Sequence, residues 1–353
     1  MARIRFILTL PFIAMLSACH AVVLNPSGDV AQQQRDLLIY STLLMLIVIV
    51  PVMVMTVLFA WRYRQANSAA RYEPDWDHSI HLELFIWAAP LLIIIGLGAL
   101  TWVGTHLLDP YRTLGRIKPG EFTASAAPAL QVEVVALDWK WLFIYPQYGI
   151  ATVNELAAPL DRPIEFRITA SSVMNSLFIP ALAGQIYAMP GMETKLHAVA
   201  NTAGDYQGFS ANYSGAGFSG MHFMFRALNR RDFEQWLALQ RAAGGVLGRS
   251  DYLRLEQPSE NERVRGFAAV DPSLYRAILN RCVEAGTPCI SDMIVMAAAS
   301  DLGAGGSASP AGIADLATQA TDGEPLLGAG LPPPPVFPLR PIPSLALHQA
   351  IER

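Results

Sequence analysis

Two stretches without a charged side chain, Leu37–Trp61 and Leu84–Gly104, constrain this chain more than any other feature. The first is 25 residues long. At 1.5 Å per residue it crosses a ~30 Å hydrocarbon layer with some tilt. Pro51 should kink that helix. The second carries Trp87 and Trp102 near its two ends, where indoles anchor a span at the membrane–water interface. Composition agrees, because 52% hydrophobic and 15% charged residues are hard to keep in water unless part of the chain sits in lipid. A net charge of −4 and the lack of any Lys/Arg run give no argument for nucleic acid, and none is expected as a partner.

Arg62, Arg64 and Arg71 lie between the spans with three acids, and the arginines close to the first span favour a cytoplasmic loop. Both termini, and everything after the second span, are then expected in the periplasm of a bacterial inner membrane. At the N-terminus, Arg3 and Arg5 precede an apolar run, Phe6–Leu16, that is too short to span. Leu16-Ser17-Ala18-Cys19 follows and resembles the lipobox of bacterial lipoproteins. That resemblance implies a signal peptide over 1–18 and a lipid, palmitate included, on Cys19. A buried cysteine in an uncleaved anchor is the alternative. The expected order continues as a periplasmic segment (19–36), first span (37–61), loop (62–81), second span (82–104) and linker (105–128).

Beyond the linker the period changes. Ile164-Glu165-Phe166-Arg167-Ile168-Thr169 alternates residue by residue, placing Ile164, Phe166 and Ile168 on one face of a strand. Leu130–Ala136, Thr194–Ala200 and Met221–Arg226 alternate less cleanly, between Gly, Pro and Asn clusters, so the domain over 129–228 is expected to be a β-sandwich or barrel. Asn229 with Asp232 predicts a helix start, with Phe233, Trp236 and Leu237 on its buried stripe. Asp271-Pro272 predicts another short helix, within a helical extension over 229–300. The Ala/Gly/Pro-rich tail, 301–353, is expected to be disordered or extended.

Several separated motifs now converge: Asp138-Trp139-Lys140-Trp141, Ser172-Val173-Met174-Asn175-Ser176, Gln185–Met192, and the loop Ser210–Met224. Together with the lipobox and two spans, they closely resemble subunit II of bo-type ubiquinol oxidases, in the haem–copper oxidase superfamily. The resemblance covers roughly Cys19 to Arg281. It implies a membrane-anchored all-β protein: a two-helix transmembrane hairpin, then a periplasmic cupredoxin-like β-sandwich with C-terminal helices. In the cytochrome c oxidase branch this subunit holds a dinuclear copper on a Cys-x3-Cys-x3-His-x2-Met loop plus an upstream His. Those positions fall here on Tyr213, Gly217, Met221, Met224 and Asn175, and only Met224 keeps a ligand type. Soft thiolates select and bridge that metal, and Tyr and Gly cannot replace them. Gly215 stands where that branch places a magnesium-associated Glu. Trp139 stands where it places the tryptophan that accepts electrons from cytochrome c.

No cofactor is therefore expected in this chain; haems and copper belong to the partner catalytic subunit I. Further partners implied are smaller membrane subunits, membrane lipid and, through the complex, ubiquinol, but not cytochrome c. Glu83 matches the glutamate that marks the entrance of a proton pathway in the superfamily, and an ionisable group at a membrane edge is a functional candidate by default. Cys282 and Cys289, spaced x6, are expected to pair in an oxidising periplasm. His222 with Met224, and His197 beside Lys195, read as surface histidines. Two alternatives stay open: subunit II of a menaquinol oxidase, and a free-standing cupredoxin-like copper carrier, which would need clustered Met/His ligands.

Overall fold

The computed structural model describes residues 21–69, 75–122 and 128–303. Cys19, the signal peptide and the tail from 304 lie outside the described residues. Helix α1 (Asp29–Arg62) and helix α2 (Ile80–Leu107) are both long and apolar enough to cross a membrane. Their apolar side chains are exposed along most of their length. The helix of α1 begins eight residues ahead of the uncharged run at Leu37, because its first turns are fastened to the β-domain. Ser27 donates through its backbone N–H (2.7 Å) and hydroxyl (2.9 Å) to the Ala181 carbonyl. Asp29, buried, accepts two hydrogen bonds from Arg116 at 3.0 and 2.9 Å. The helices approach closely at Gly104, where a Cβ would lie 2.9 Å from the Leu37 side chain.

A two-stranded ribbon, β1 (Arg116–Lys118) and β2 (Glu121–Phe122), leads into the sandwich. The strands of the first sheet are β3 (Leu130–Leu137), β4 (Lys140–Tyr145), β5 (Ile150–Val153), β7 (Ile164–Ala170), β10 (Thr194–Ala198) and β14 (Arg265–Phe267). They lie in the order β10-β7-β3-β4-β5-β14, with β3 and β7 parallel and the other pairs antiparallel. The second sheet contains β6 (Glu155–Pro159), β8 (Asn175–Phe178), β9 (Ile186–Ala188), β11 (Gly204–Ser210) and β12 (His222–Leu228), ordered β6-β12-β11-β8-β9.

Strand alternation builds the core between the sheets. Leu130, Val132, Val134 and Ala136 of β3 face Phe223 and Phe225 of β12 inside one buried cluster. Trp141 and Phe143 pack on Phe223 at ring separations of 5.7 and 4.9 Å. Truncating Phe223 to Ala would open a cavity there worth roughly 3–5 kcal/mol. The alternate residues Val135, Leu137, Leu142 and Ile144 lie on the outer face and are buried as well, under a second cluster from the C-terminal segment. Coverage of both faces is why β4 is buried throughout and does not alternate in sequence.

That C-terminal segment comprises α3 (Arg230–Ala242), α4 (Arg249–Glu256), α5 (Leu274–Leu279), α6 (Ile290–Gly303) and a small parallel pair, β13 (Val246–Leu247) with β15 (Ala269–Val270). Asn229 caps α3 by accepting from the Asp232 N–H at 2.9 Å. Phe233, Trp236 and Leu237 are buried against the sandwich, with Trp236 on Tyr145 at 5.4 Å. Helix α6 runs to Gly303, slightly past the expected tail boundary at 301.

Candidate functional site

Within the loop Ser210–Met221, Gly217 is buried between packed neighbours, while Ala211, Tyr213, Ala216 and Ser219 are exposed. A 3-10 turn over Ala216–Gly220 follows Gly215, whose φ of 116° favours glycine. The two-residue turn between β3 and β4 places Trp139, at φ 64°, against this loop, and its indole N–H donates to the Ser214 carbonyl at 3.1 Å. A Cβ built on Gly217 would lie 2.5 and 2.6 Å from two Trp139 ring carbons and 2.7 Å from Glu260 Cγ. One on Gly220 would meet the Asn261 side-chain oxygen at 2.9 Å. The space around these glycines is thus occupied by Trp139 from one side and by Glu260 and Asn261 from the other.

The positions corresponding to copper ligands do not converge. Tyr213 is 74% exposed, edge-on to Phe218 at 5.5 Å. Met221 is fully buried in the core between the sheets, while Met224 faces outward from β12 at 40% exposure. Asn175 is buried, accepts from the Ser210 hydroxyl at 3.0 Å and donates to the Val173 carbonyl at 3.2 Å. With no thiolate, no room at Gly217 and the two methionines on opposite faces, these residues do not fit a dinuclear copper. Among the described residues no group of three or more His, Cys, Asp or Glu could hold a metal.

A buried lysine, unremarked in the sequence, holds the C-terminal segment against this loop. Lys140 Nζ donates to the Gln257 carbonyl at 2.7 Å and to the Ser259 hydroxyl at 2.6 Å, and Ser259 donates to Glu262 at 2.8 Å. Burial holds the Lys140 ammonium below its ordinary pKa, against the opposing pull of Glu262 and Asp138. Asn154 joins the same corner, donating to the Glu262 carbonyl at 2.8 Å and accepting from the Trp141 N–H at 2.8 Å. The signal was present in Asp138-Trp139-Lys140-Trp141, but a single lysine among aromatics does not reveal what will cover it.

At the far end of the molecule Glu83 stands in the first turn of α2, where a carboxylate is favoured by the helix dipole. Its Oε1 lies 2.6 Å from His78 Nδ1, both side chains being more than half exposed.

Residues 146–228 match the family described as "Cytochrome C oxidase subunit II, periplasmic domain", and residues 241–286 match "COX Aromatic Rich Motif". A Pseudomonas putida protein named cytochrome bo(3) ubiquinol oxidase subunit 2 is 48% identical over 275 residues, covering 77% of this chain and 84% of its own. The ubiquinol oxidase subunit 2 of Acetobacter aceti is 49% identical over 265 residues (75% and 84%), and a Bacillus spizizenii quinol oxidase subunit 2 is 36% identical over 255 (71% and 76%). The chain belongs to the subunit II family of bo-type ubiquinol oxidases.

In this subunit II the aromatic-rich match coincides with the segment that carries α4, α5, Glu260 and Asn261. Cys282 and Cys289 are bonded to each other, with Cα atoms 4.8 Å apart. His222 is exposed, but His197 is half-buried, its Nδ1 3.1 Å from the Pro110 carbonyl. The chain leaving α2 folds back over the edge strand β10 and covers that histidine in part.

Proposed function

We propose that this chain is the non-redox subunit II of a proton-pumping terminal ubiquinol oxidase, a complex that oxidises ubiquinol and reduces oxygen to water in aerobic respiration. The observation that carries the reading is the Trp139 ring seated against Gly217, where the copper-bearing branch needs a thiolate. A quinol delivers its electrons from within the membrane, so a periplasmic copper relay would have no donor. Haems and copper then reside in the catalytic subunit I. This chain docks on that subunit through α1 and α2, caps and stabilises it on the periplasmic side, and is held in the inner membrane additionally by lipid on Cys19.

Trp139, freed from electron transfer, becomes a packing residue. Glu83 takes the role of proton-pathway entrance at the cytoplasmic surface, with His78 in contact. A carboxylate at that edge can collect protons from water and pass them into the partner subunit. Identities of 48–49% to ubiquinol oxidase subunits, against 36% to the Bacillus quinol oxidase subunit, favour ubiquinol as donor over menaquinol. Oxygen uptake by the purified complex tests the reading: ubiquinol should sustain turnover, and reduced cytochrome c should not. Turnover on cytochrome c would refute it.

A further inference from the structure

Where α1 and α2 reach the sandwich, the structure holds an open cavity of about 480 Å³. Its walls are the first turns of α1, the last residues of α2, the chain that leaves α2, and Gly184, Gln185, Leu196 and His197 of the β-domain. It therefore lies at the level where a bilayer's headgroups would stand around this pair of helices. The lining is divided by chemistry. Leu107 and Leu108 continue the apolar surface of α2 into the cavity, while Asp109 and Arg112, both exposed, stand at its rim. Deeper in, the charges are already matched: buried Asp29 takes two hydrogen bonds from Arg116 and a third from Gln33 at 2.8 Å.

The rim pair is only partly engaged. Among the described residues the Arg112 guanidinium gives one hydrogen bond, to the His106 carbonyl at 3.2 Å, and the Asp109 carboxylate accepts one through Oδ1 from the Tyr111 N–H at 2.9 Å. A guanidinium has five donors and a carboxylate about four acceptor positions, so both retain capacity for a ligand. An apolar wall at Leu107 and Leu108 continuous with a membrane helix, beside a rim that offers one cation and one anion, matches an amphiphile whose head carries both signs.

We propose that this cavity seats one glycerophospholipid with a primary-amine headgroup, its phosphate on Arg112, its ammonium on Asp109 and its chains along Leu107 and the exposed face of α2. A purely anionic headgroup would set its charge against Asp109. A choline headgroup would offer Asp109 no N–H. Such a lipid fills the junction between the membrane helices and the β-domain, fixing the angle at which the sandwich stands over the bilayer.

The proposal rests on α1 and α2 spanning the membrane, which carbonate extraction of native membranes tests separately: release of the chain there would sink the membrane reading itself. The lipid site is tested on the assembled oxidase by native mass spectrometry after mild delipidation, adding dioleoyl phosphatidylethanolamine, dioleoyl phosphatidylglycerol or inorganic phosphate in turn. The wild-type complex should take up one more phosphatidylethanolamine than the Arg112→Ala complex, whose occupancy should be about fivefold lower, the scale of one exposed charged contact. Arg112→Lys should restore uptake, and Asp109→Asn should abolish the preference over phosphatidylglycerol. A benzophenone side chain at Thr113, on the cavity wall, should cross-link to lipid. Equal uptake by wild type and Arg112→Ala, displacement of the lipid by inorganic phosphate, or a cross-link to another polypeptide would each overturn the proposal.

Discussion

Adding one methyl group at Gly217 tests the packed loop with the least disturbance. The new Cβ would sit 2.5 and 2.6 Å from carbons of Trp139 and 2.7 Å from Glu260 Cγ. Glu260 is a chain of single bonds and can swing away, but the indole is held by its 3.1 Å hydrogen bond to Ser214 and lies close against Gly215 as well. Moving the ring sacrifices that bond, worth about 1 kcal/mol, and forces a strained rotamer at roughly 0.5–1.5 kcal/mol. Against this, Ala restricts the unfolded chain more than Gly and returns about 0.4–1 kcal/mol. The net expectation for Gly217→Ala is a loss of about 1–2 kcal/mol, within the range for overpacked cores. In a Trp139→Ala background the same substitution should be neutral or slightly stabilising. Urea unfolding of the detergent-solubilised chain, over the four members of this double-mutant cycle, measures the coupling. Equal effects of Gly217→Ala in both backgrounds would refute the claim that Trp139 fills the position.

Burial pushes the Glu133 carboxyl up to about 7, with Arg167 opposing and Glu193 adding to the rise. The folded state therefore holds an extra proton between the ordinary value and about 7, so this group's contribution falls as pH rises through that window, by ~3 kcal/mol at most; Glu133→Gln should flatten the slope of urea midpoint against pH. Replacing both Cys282 and Cys289 by Ser releases a loop of sequence separation 7 and should lower stability by about 2 kcal/mol in the same assay. Glu83→Ala in the assembled oxidase should slow turnover and proton release by about a hundredfold, the lower end for loss of a positioned proton-transfer group, with spectra of the haems unchanged; wild-type rates of both would remove the residue from the proton path.

The two long apolar helices were legible because a run of uncharged residues has few other uses, and β7 because Ile164–Thr169 alternates without a break. β4 was not, since Lys140–Tyr145 is buried on both faces and carries no period to read. The start of α1 at Asp29 was hidden for a related reason: its polar first turns are fixed by Arg116, 87 residues away, a contact without local signature. Absence of thiolates from the loop could be read directly at Tyr213 and Gly217. What had replaced them could not, because Glu260 and Asn261 reach the loop only after the C-terminal segment has crossed the outer face of the first sheet.

Copper content is the most direct test of the claim that this loop holds no metal. The detergent-solubilised chain, incubated with copper and then desalted, should retain none and show no thiolate-to-copper absorption, while the assembled oxidase should contain only the copper of its catalytic subunit. Copper bound stoichiometrically by this chain, and lost on changing Met221 or Met224, would contradict the account.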